Sequence, residues 1–398
     1  MRTPTIVVIL FAIAMLVALA ARSVEIPYTV ALVVAGVGMG EIHVLRTPTL
    51  TKDLLFDVFL PGLLFEAAFH VKAREYWSNK LIIHSLALPG VVVASLGTAA
   101  ILAAMAPGGI GWPAALVFAT VTAATDPIAV VAVFRKVGAP RRLSILVEAE
   151  SLVNDGVAAI LTTIVARHAV GEDLTALGIA WDFLREAVGG VLLGTTLAFV
   201  IAKSVARLDD ALIKITLTTI AAYGSFAIAE QLHLSGVVAT VAAGMVLGSY
   251  PAFRALPENK AAVEFFWEYA AFALNSIVFL LMGFDVRLRD LYDAIVPITV
   301  AYLAMIVVRS ALVGIVTLTA RPTSERLSRN CSFIVSWGGL RGALAMVLAL
   351  SLPENMPQRH LVITMTFGVT LLTLVVNGLS IAPLLRLLGV ANREAATS

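Results

Sequence analysis

The sequence is short of the groups on which most enzymes and metalloproteins depend. Its 398 residues include one cysteine, Cys331, so an intramolecular disulfide is excluded and a thiolate metal site is not expected. The six histidines are scattered without HExxH spacing, and neither a Walker motif nor a GxSxG motif is present. These absences argue against a zinc, nucleotide or serine-hydrolase site, and we expect no cofactor.

Charge is also scarce. Only 14% of the residues are charged, whereas 60% are hydrophobic and the mean hydropathy is +0.95. The net charge of +2 gives no reason to expect a nucleic-acid partner. This composition predicts an all-α protein that crosses the lipid bilayer many times, not a globular enzyme with an anchor.

Charged or Gly/Pro-rich breaks separate thirteen apolar segments, most of them long enough to cross a bilayer as helices. They lie near 5–21, 26–42, 51–70, 81–106, 112–134, 143–166, 184–205, 211–230, 233–250, 261–284, 291–320, 330–352 and 360–386. The first also resembles a signal peptide, but we take it as a retained transmembrane helix. Loops after odd-numbered segments carry 18 Lys and Arg residues, against 8 at the N-terminus and after even-numbered segments. This bias predicts an outside N-terminus and a cytoplasmic C-terminus.

The most informative stretch is a group of polar residues inside the sixth apolar segment. On a helix, Glu148, Ser151 and Asp155 share one stripe, while Glu150 and Asn154 share the neighbouring one. The alternative is that these residues form a buried polar network that has no role in transport. Ionisable residues at membrane depth are costly and usually mark ion or proton pathways, so we favour a site for a monovalent cation.

Two segments are interrupted near their middles. Thr125-Asp126-Pro127 places a proline inside the fifth segment, where it removes a helical hydrogen bond and displaces a carbonyl. Ser336 to Ala343 contains three glycines in five residues, with Arg341 at the weak point of the twelfth segment. If the seventh segment is a linker, the interruptions occupy matching places in two six-helix halves. That pattern is typical of an inverted-repeat transporter with two broken helices.

Two further charges require partners. Arg309 lies deep in the eleventh segment and cannot easily reach water, so we predict a structural ion pair with Glu150, joined by Asn154. Glu66 lies about one turn inside the cytoplasmic end of the third segment. It either extends to the interface or faces a cavity and helps to hold a cation.

Three motifs resemble those of the monovalent cation/proton antiporters, above all the NhaP-type sodium/proton exchangers related to the animal sodium/hydrogen exchangers. They are Thr125-Asp126-Pro127, Glu150-Ser151-x-x-Asn154-Asp155-Gly156 and Gly338-Gly339-Leu340-Arg341-Gly342-Ala343. The resemblance implies a thirteen-helix homodimer. It divides the chain into a dimerisation domain (1–75 and 208–290), a linker helix (184–205), a core domain (78–168 and 291–388) and a short tail (389–398).

The resemblance also implies roles for individual residues. Asp155 would bind the cation and the proton in turn, with further oxygens from Ser151, Thr125, Glu66 and Asp126. Glu150, Asn154 and Arg309 would form a structural cluster, and Arg341 would offset charge where the broken helices cross. Independently of the resemblance, Glu148, which is on the Asp155 stripe, and His70 are candidates for an entry funnel or a pH sensor. Glu66 departs from the family pattern, because Ala67 and Ala68 follow it where relatives often have glycines.

The implied function is exchange of Na⁺ or Li⁺ for protons in the cell membrane. The pair Asn154-Asp155 implies electroneutral one-for-one exchange by this resemblance. A potassium/proton antiporter of the same fold and a passive cation channel remain alternatives. An intramembrane aspartyl protease using Asp126 and Asp155 is disfavoured, since the GxGD signature is absent.

Overall fold

A computed structural model describes residues 3–24, 26–41, 53–105, 109–173, 175–205, 210–250 and 257–390. Within these ranges the chain is helical and contains no strand. The first half contains α1 (Thr3–Val24), α2 (Tyr28–Glu41), α3 (Leu60–His70), α4 (Ala73–Trp77), α5 (Lys80–Ala87), α6 (Pro89–Met105), α7 (Trp112–Val121), α8 (Ile128–Lys136) and α9 (Arg141–Ala169). The second half contains α10 (Ala176–Val205), α11 (Ala211–Gln231), α12 (Gly236–Ser249), α13 (Pro257–Asp285), α14 (Leu288–Asp293), α15 (Ile295–Ala320), α16 (Arg329–Trp337), α17 (Ala343–Leu350), α18 (Arg359–Leu372) and α19 (Gly378–Leu387). Short π-helical turns, Leu54–Phe59 and Thr373–Asn377, lead into α3 and α19.

Seven helical stretches of the described chain are long and apolar enough to cross a membrane. They are Lys80–Met105, Arg141–Ala169, Ala176–Ser204, Ala211–Gln231, Lys260–Phe284, Ile295–Ala320 and Arg359–Leu387. Shorter apolar helices accompany them, among them Tyr28–Glu41 and Gly236–Ser249. The chain is a multi-pass membrane protein, and the number of crossings stays a prediction.

Both predicted interruptions are present. Residues 122–127 separate α7 from α8, and residues 338–342 separate α16 from α17. Pro127 and the cluster of glycines at 338, 339 and 342 fall inside these gaps, as expected from their low helix propensity. Two helices therefore stop and restart within the membrane part of the fold.

The sequence places one helix start wrongly. The seventh segment was predicted to begin at residue 184, but α10 begins at Ala176. Asp182 falls in the predicted loop before residue 184, whereas it lies on the helix and lines a cavity described below, as Arg185 and Glu186 do. The predicted tail lies outside the described residues beyond Val390.

The helices pack in two groups. One comprises α1, α2, α3, α11, α12 and α13, and the other comprises α5 to α9 with α15 to α18. Helix α10 packs against α11 and α12 of the first group and against α9 of the second. Small residues let the backbones approach closely, as where Gly36 of α2 faces Gly283 of α13. The site described next lies between the groups.

Candidate functional site

The two interrupted helices meet at their breaks. The backbone N–H of Asp126 donates to the carbonyl oxygen of Leu340 over 2.8 Å, which joins the first break directly to the second. The carboxylate of Asp126 accepts from the backbone N–H of Ile128, the first residue of α8, at 2.9 Å. Backbone groups that regular helices would satisfy internally are therefore concentrated at one crossing point.

Arg341 lies at this crossing and is only 6% exposed. Its guanidinium donates to the carbonyl oxygens of Ala123 and Ala124 at 3.0 and 3.2 Å, and its backbone N–H donates to Thr373 Oγ1 at 3.1 Å. The cation therefore faces the carbonyls that follow the C-terminus of α7, where a helix carries partial negative charge. The contact between the guanidinium and these carbonyls is the one expected if Arg341 offsets the dipole of α7.

All five side chains predicted to bind a cation line a single cavity of about 80 Å³. They are Glu66, Thr125, Asp126, Ser151 and Asp155. Glu148 lines it too, as the shared helical stripe with Ser151 and Asp155 indicates. The hydroxyl groups of Ser151 and Thr125 lie 2.8 Å apart, and Ser151 also donates to the carbonyl oxygen of Thr125. The cavity combines carboxylate, hydroxyl and carbonyl oxygens, which are the ligands that hard cations prefer.

Asp155 differs from the other carboxylates of the site. Its Oδ1 is buried and has no hydrogen-bond partner among the groups that the structure describes. A buried acceptor left unsatisfied costs about 1–3 kcal/mol, and more when it is charged. This oxygen therefore favours binding either a cation or a proton.

The neighbouring stripe forms a separate polar cluster. Arg309 binds Glu150 through two parallel contacts, Nη1 to Oε1 at 3.2 Å and Nη2 to Oε2 at 3.1 Å. Asn154 donates to Glu150 Oε1 at 3.1 Å and to Thr125 Oγ1 at 2.7 Å, which ties the pair to the first break. The contact predicted between Glu150 and Arg309 is thus present. Because both terminal guanidinium nitrogens of Arg309 bind Glu150, the charge of Arg309 does not neutralise Asp155.

The two candidate sensor residues lie on one side of the cavity. His70 Nδ1 is 3.2 Å from Glu66 Oε1 and 2.9 Å from the carbonyl oxygen of Glu66. His70 Nε2 lies 3.9 Å from Glu268 Oε1, and Arg135 Nη2 lies 3.5 Å from Glu148 Oε1. Glu66 therefore faces the cavity and contacts His70, which does not itself line the cavity.

Sequence reasoning missed one polar side chain of the cavity. Asn275 of α13 is 3% exposed and lines the same space as Asp155. It lies in the middle of an apolar segment with no charged residue nearby in sequence. The available signal was an amide at membrane depth, which is costly there unless it has a partner.

A second, larger cavity of about 440 Å³ lies further along α9. Arg167, Asp182, Glu186 and Glu230 are among its lining residues. Arg167 Nη1 contacts Asp182 Oδ2 at 3.0 Å, which connects the C-terminal end of α9 to α10. Polar groups thus line a cavity on the side of Asp155 away from Glu148.

The crossing point leaves no room for a side chain at Gly342. A Cβ atom there would overlap the side chain of Asp126. We expect Gly342→Ala to lower the free energy of unfolding by about 1–3 kcal/mol, the usual cost of overpacking. Gly314→Ala is the control, because a Cβ at Gly314 of α15 meets nothing within 4 Å. Thermal unfolding of the two purified variants should show a lower midpoint for Gly342→Ala only, and equal midpoints would contradict the close contact.

Known proteins resemble the chain in sequence and in fold. The chain is 34% identical over 374 residues to the Na(+)/H(+) antiporter ApNhaP of Aphanothece halophytica, an alignment that covers 93% of this chain and 71% of the relative. It is 32% identical over 403 residues to the Na(+)/H(+) antiporter NhaH of Halobacillus dabanensis, covering 96% of this chain and 97% of that one. Among solved structures, the sodium proton antiporter MjNhaP1 from Methanocaldococcus jannaschii at pH 8 superposes with a TM-score of 0.77. The two are 20% identical, with 96% of this chain and 98% of that one covered.

The structural likeness confirms the predicted all-α transporter fold with its pair of broken helices. A family model, described as the transmembrane part of sodium/hydrogen exchangers, matches residues 7–387. The match therefore takes in both breaks and the polar stretch of α9. The chain belongs to the sodium/hydrogen exchanger family, whose members are cation/proton antiporters.

Proposed function

We propose that the protein is a sodium/proton antiporter in which Na⁺ and H⁺ compete for Asp155. The observation that carries this proposal is the buried Asp155 Oδ1, which has no partner among the described groups and lies in a cavity with six other oxygen-bearing side chains. The names of the relatives, which are Na(+)/H(+) antiporters, support the same assignment. Family membership supports transport as the activity, and we propose no enzymatic step.

Competition at one carboxylate couples the two ions. A Na⁺ ion that enters the cavity exchanges hydration oxygens for those of Asp155, Ser151 and Thr125, with Glu66 and Asp126 nearby. A proton on Asp155 removes the charge that attracts the cation, so the site holds one ion or the other. If the helix groups move only when Asp155 is neutralised, exchange proceeds without uncoupled leak.

The remaining residues have supporting roles in this proposal. Glu150, Asn154 and Arg309 fix the polar face of α9, and Arg341 holds the two breaks together. Glu148 and His70 lie beside the cavity, where their charge influences cation entry. These residues therefore shape the site and its approach without binding the cation themselves.

The proposed moving parts follow the two helix groups. The core domain (78–168 and 291–388) carries both breaks, and the dimerisation domain (1–75 and 208–290) carries α3 and α13. The linker helix contacts both groups, and the site lies between them. We propose that the protein works as a homodimer in the cell membrane, with the N-terminus outside and the C-terminus in the cytoplasm. The distribution of Lys and Arg supports this orientation.

Proton flux in proteoliposomes tests the assignment. Vesicles that contain the purified protein and a pH-sensitive dye are acidified inside, and Na⁺, Li⁺ or K⁺ is then added outside at several pH values. Saturable dequenching with Na⁺ is the expected result, with Li⁺ as a second substrate. A response to K⁺ alone would replace the sodium assignment by a potassium/proton antiporter. Cation flux that is not accompanied by opposite movement of protons would indicate a passive channel.

We predict that exchange is electroneutral, because Asp155 is the single carboxylate of the Asn154-Asp155 pair. An exchange of one Na⁺ for one H⁺ moves no net charge across the membrane. A voltage imposed by a potassium gradient and valinomycin should therefore leave the initial rate of Na⁺-driven proton flux unchanged. A rate that rises or falls with voltage would contradict one-for-one exchange. Vesicles without protein provide the control for voltage-driven proton leak.

A further inference from the structure

The amide of Asn275 has no assigned role, although it lies in the candidate cation site. Its side chain is 3% exposed and lines the same cavity as Asp155 and Ser151. Its Oδ1 has no hydrogen-bond partner in the described part of the chain. A buried amide acceptor without a partner costs about 1–3 kcal/mol, so this oxygen favours binding a cation within the cavity.

The packing of α13 fixes the position of this amide. Gly283 of α13 approaches Gly36 of α2 so closely that a Cβ atom on either would overlap the other's backbone. Leu274, the residue before Asn275, packs against Gly62 of α3. The amide is therefore on the fixed face of a tightly packed helix, where little conformational entropy is lost when it binds an ion.

Ser276, the next residue along α13, is buried like Asn275 but has a hydrogen-bond partner. Ser276 is also buried, at 1% exposure, but its hydroxyl donates to the carbonyl oxygen of Phe272 at 2.6 Å. A hydroxyl that bonds to the preceding turn is satisfied within its own helix. Ser276 does not line the cavity, so the two adjacent residues offer a matched pair: one amide that lines the site and one hydroxyl that does not.

We propose that the amide oxygen of Asn275 is a cation ligand that sets the affinity for Na⁺ relative to H⁺. The inference rests on the proposed function of the site. Carboxylates such as Asp155 bind both ions, whereas a neutral amide binds a metal ion and is not protonated in the physiological pH range. Asn275 therefore strengthens the binding of one competing ion only.

The position of Asn275 in the fold would let a bound cation connect the two helix groups. Asp155, Ser151 and Thr125 belong to α9 and the first break, whereas Asn275 belongs to α13 in the other helix group. A bound cation would contact both groups at once. The cation can therefore contact Asn275 only while α13 lies against α9 and the first break across the cavity.

The test measures the KM for Na⁺ and the maximal rate of exchange in proteoliposomes across a range of pH. For Asn275→Ala we expect the KM to rise about tenfold at every pH, the factor that corresponds to losing one ion–dipole contact. The maximal rate at saturating Na⁺ should stay within about twofold of wild type, since proton binding at Asp155 is unaffected. A general structural defect would lower the maximal rate instead.

Two other variants separate the possible outcomes. Asn275→Asp keeps an oxygen at this position but adds a group that takes up protons. Its KM should be near wild type at high pH and should rise more steeply than wild type as the pH falls. Ser276→Ala should keep the wild-type KM. If Asn275→Ala does not fold, as judged by size-exclusion chromatography, the pH dependence of Asn275→Asp carries the test.

The outcomes distinguish this inference from the proposed function. Wild-type vesicles without Na⁺-driven proton flux would overturn the antiporter assignment itself. Wild-type exchange together with a wild-type KM in Asn275→Ala would overturn only the role of Asn275. A pH profile of Asn275→Asp that is parallel to the wild-type profile would do the same.

Discussion

Asp155→Asn abolishes Na⁺-dependent proton exchange, reducing it to the level of vesicles without protein. The substitution keeps the size of the side chain but removes both the negative charge and the group that takes up a proton. The carboxylate of Glu150 binds Arg309 and is not free to replace that of Asp155. The measurement is dye dequenching over a range of Na⁺ concentration and pH, so that a shifted optimum is not mistaken for a loss.

The matched control for this experiment is Asp290→Asn. Asp290 lies in the short helix α14, where its carboxylate is 3.8 Å from His360, outside the cavity. The same chemical change there should leave exchange at the wild-type level. Both variants should elute as folded protein with the wild-type retention volume. Sodium-driven exchange by a folded Asp155→Asn variant would remove Asp155 from the site and with it the proposed mechanism.

Arg309→Met should cause the largest loss of stability. The substitution leaves Glu150, which is 3% exposed, without its bidentate partner. Breaking a buried ion pair by removing one member costs about 3–5 kcal/mol, because the remaining charge is buried and uncompensated. We expect a lower midpoint of thermal unfolding in detergent and a lower yield of folded protein. Lys260→Met is the control, since Lys260 forms an exposed pair with Glu264 at 3.3 Å, and such pairs contribute less than about 1 kcal/mol.

A second substitution tests whether the cost arises from the unpaired charge. In the double variant Glu150→Gln/Arg309→Met neither partner is charged, and the introduced amide can still accept from Asn154 as the carboxylate of Glu150 does. The double variant should therefore regain much of the stability that Arg309→Met loses. If both variants unfold at the same temperature, packing of the arginine and not its charge stabilises the protein.

The polar part of the site was predictable because charges and helix breakers stand out in apolar sequence. The periodicity of an α-helix alone divided Asp155 and Ser151 from Glu150 and Asn154, and the structure has these two pairs in different surroundings. Arg309 was too far from any loop to reach water, which left a buried acid as its partner. Such predictions follow from the high cost of charge in a low-dielectric interior.

The place of Asn275 in the cavity and the start of α10 could be seen only in the three-dimensional structure. Asn275 is uncharged and lies in a long apolar run, so no local pattern indicates that its amide faces Asp155. The early start of α10 was missed for the opposite reason: a charged residue such as Asp182 is typical of a loop in sequence. It is tolerated on the helix because it lines a polar cavity. Which charges are solvated depends on contacts between distant segments, and sequence patterns do not report these.

The closeness of the two cavities has an electrical consequence. On α9, Asp155 lines the smaller cavity and Ala159 the larger one, and on α17 the same holds for Leu344 and Leu348. One helical turn, a rise of about 5.4 Å, therefore separates them. Where water fills both, the membrane potential falls mainly across this thin layer instead of the full bilayer. A bare carboxylate that crossed it would then do electrical work of about 2.3 kcal/mol per 100 mV, whereas one paired with Na⁺ or H⁺ would do none.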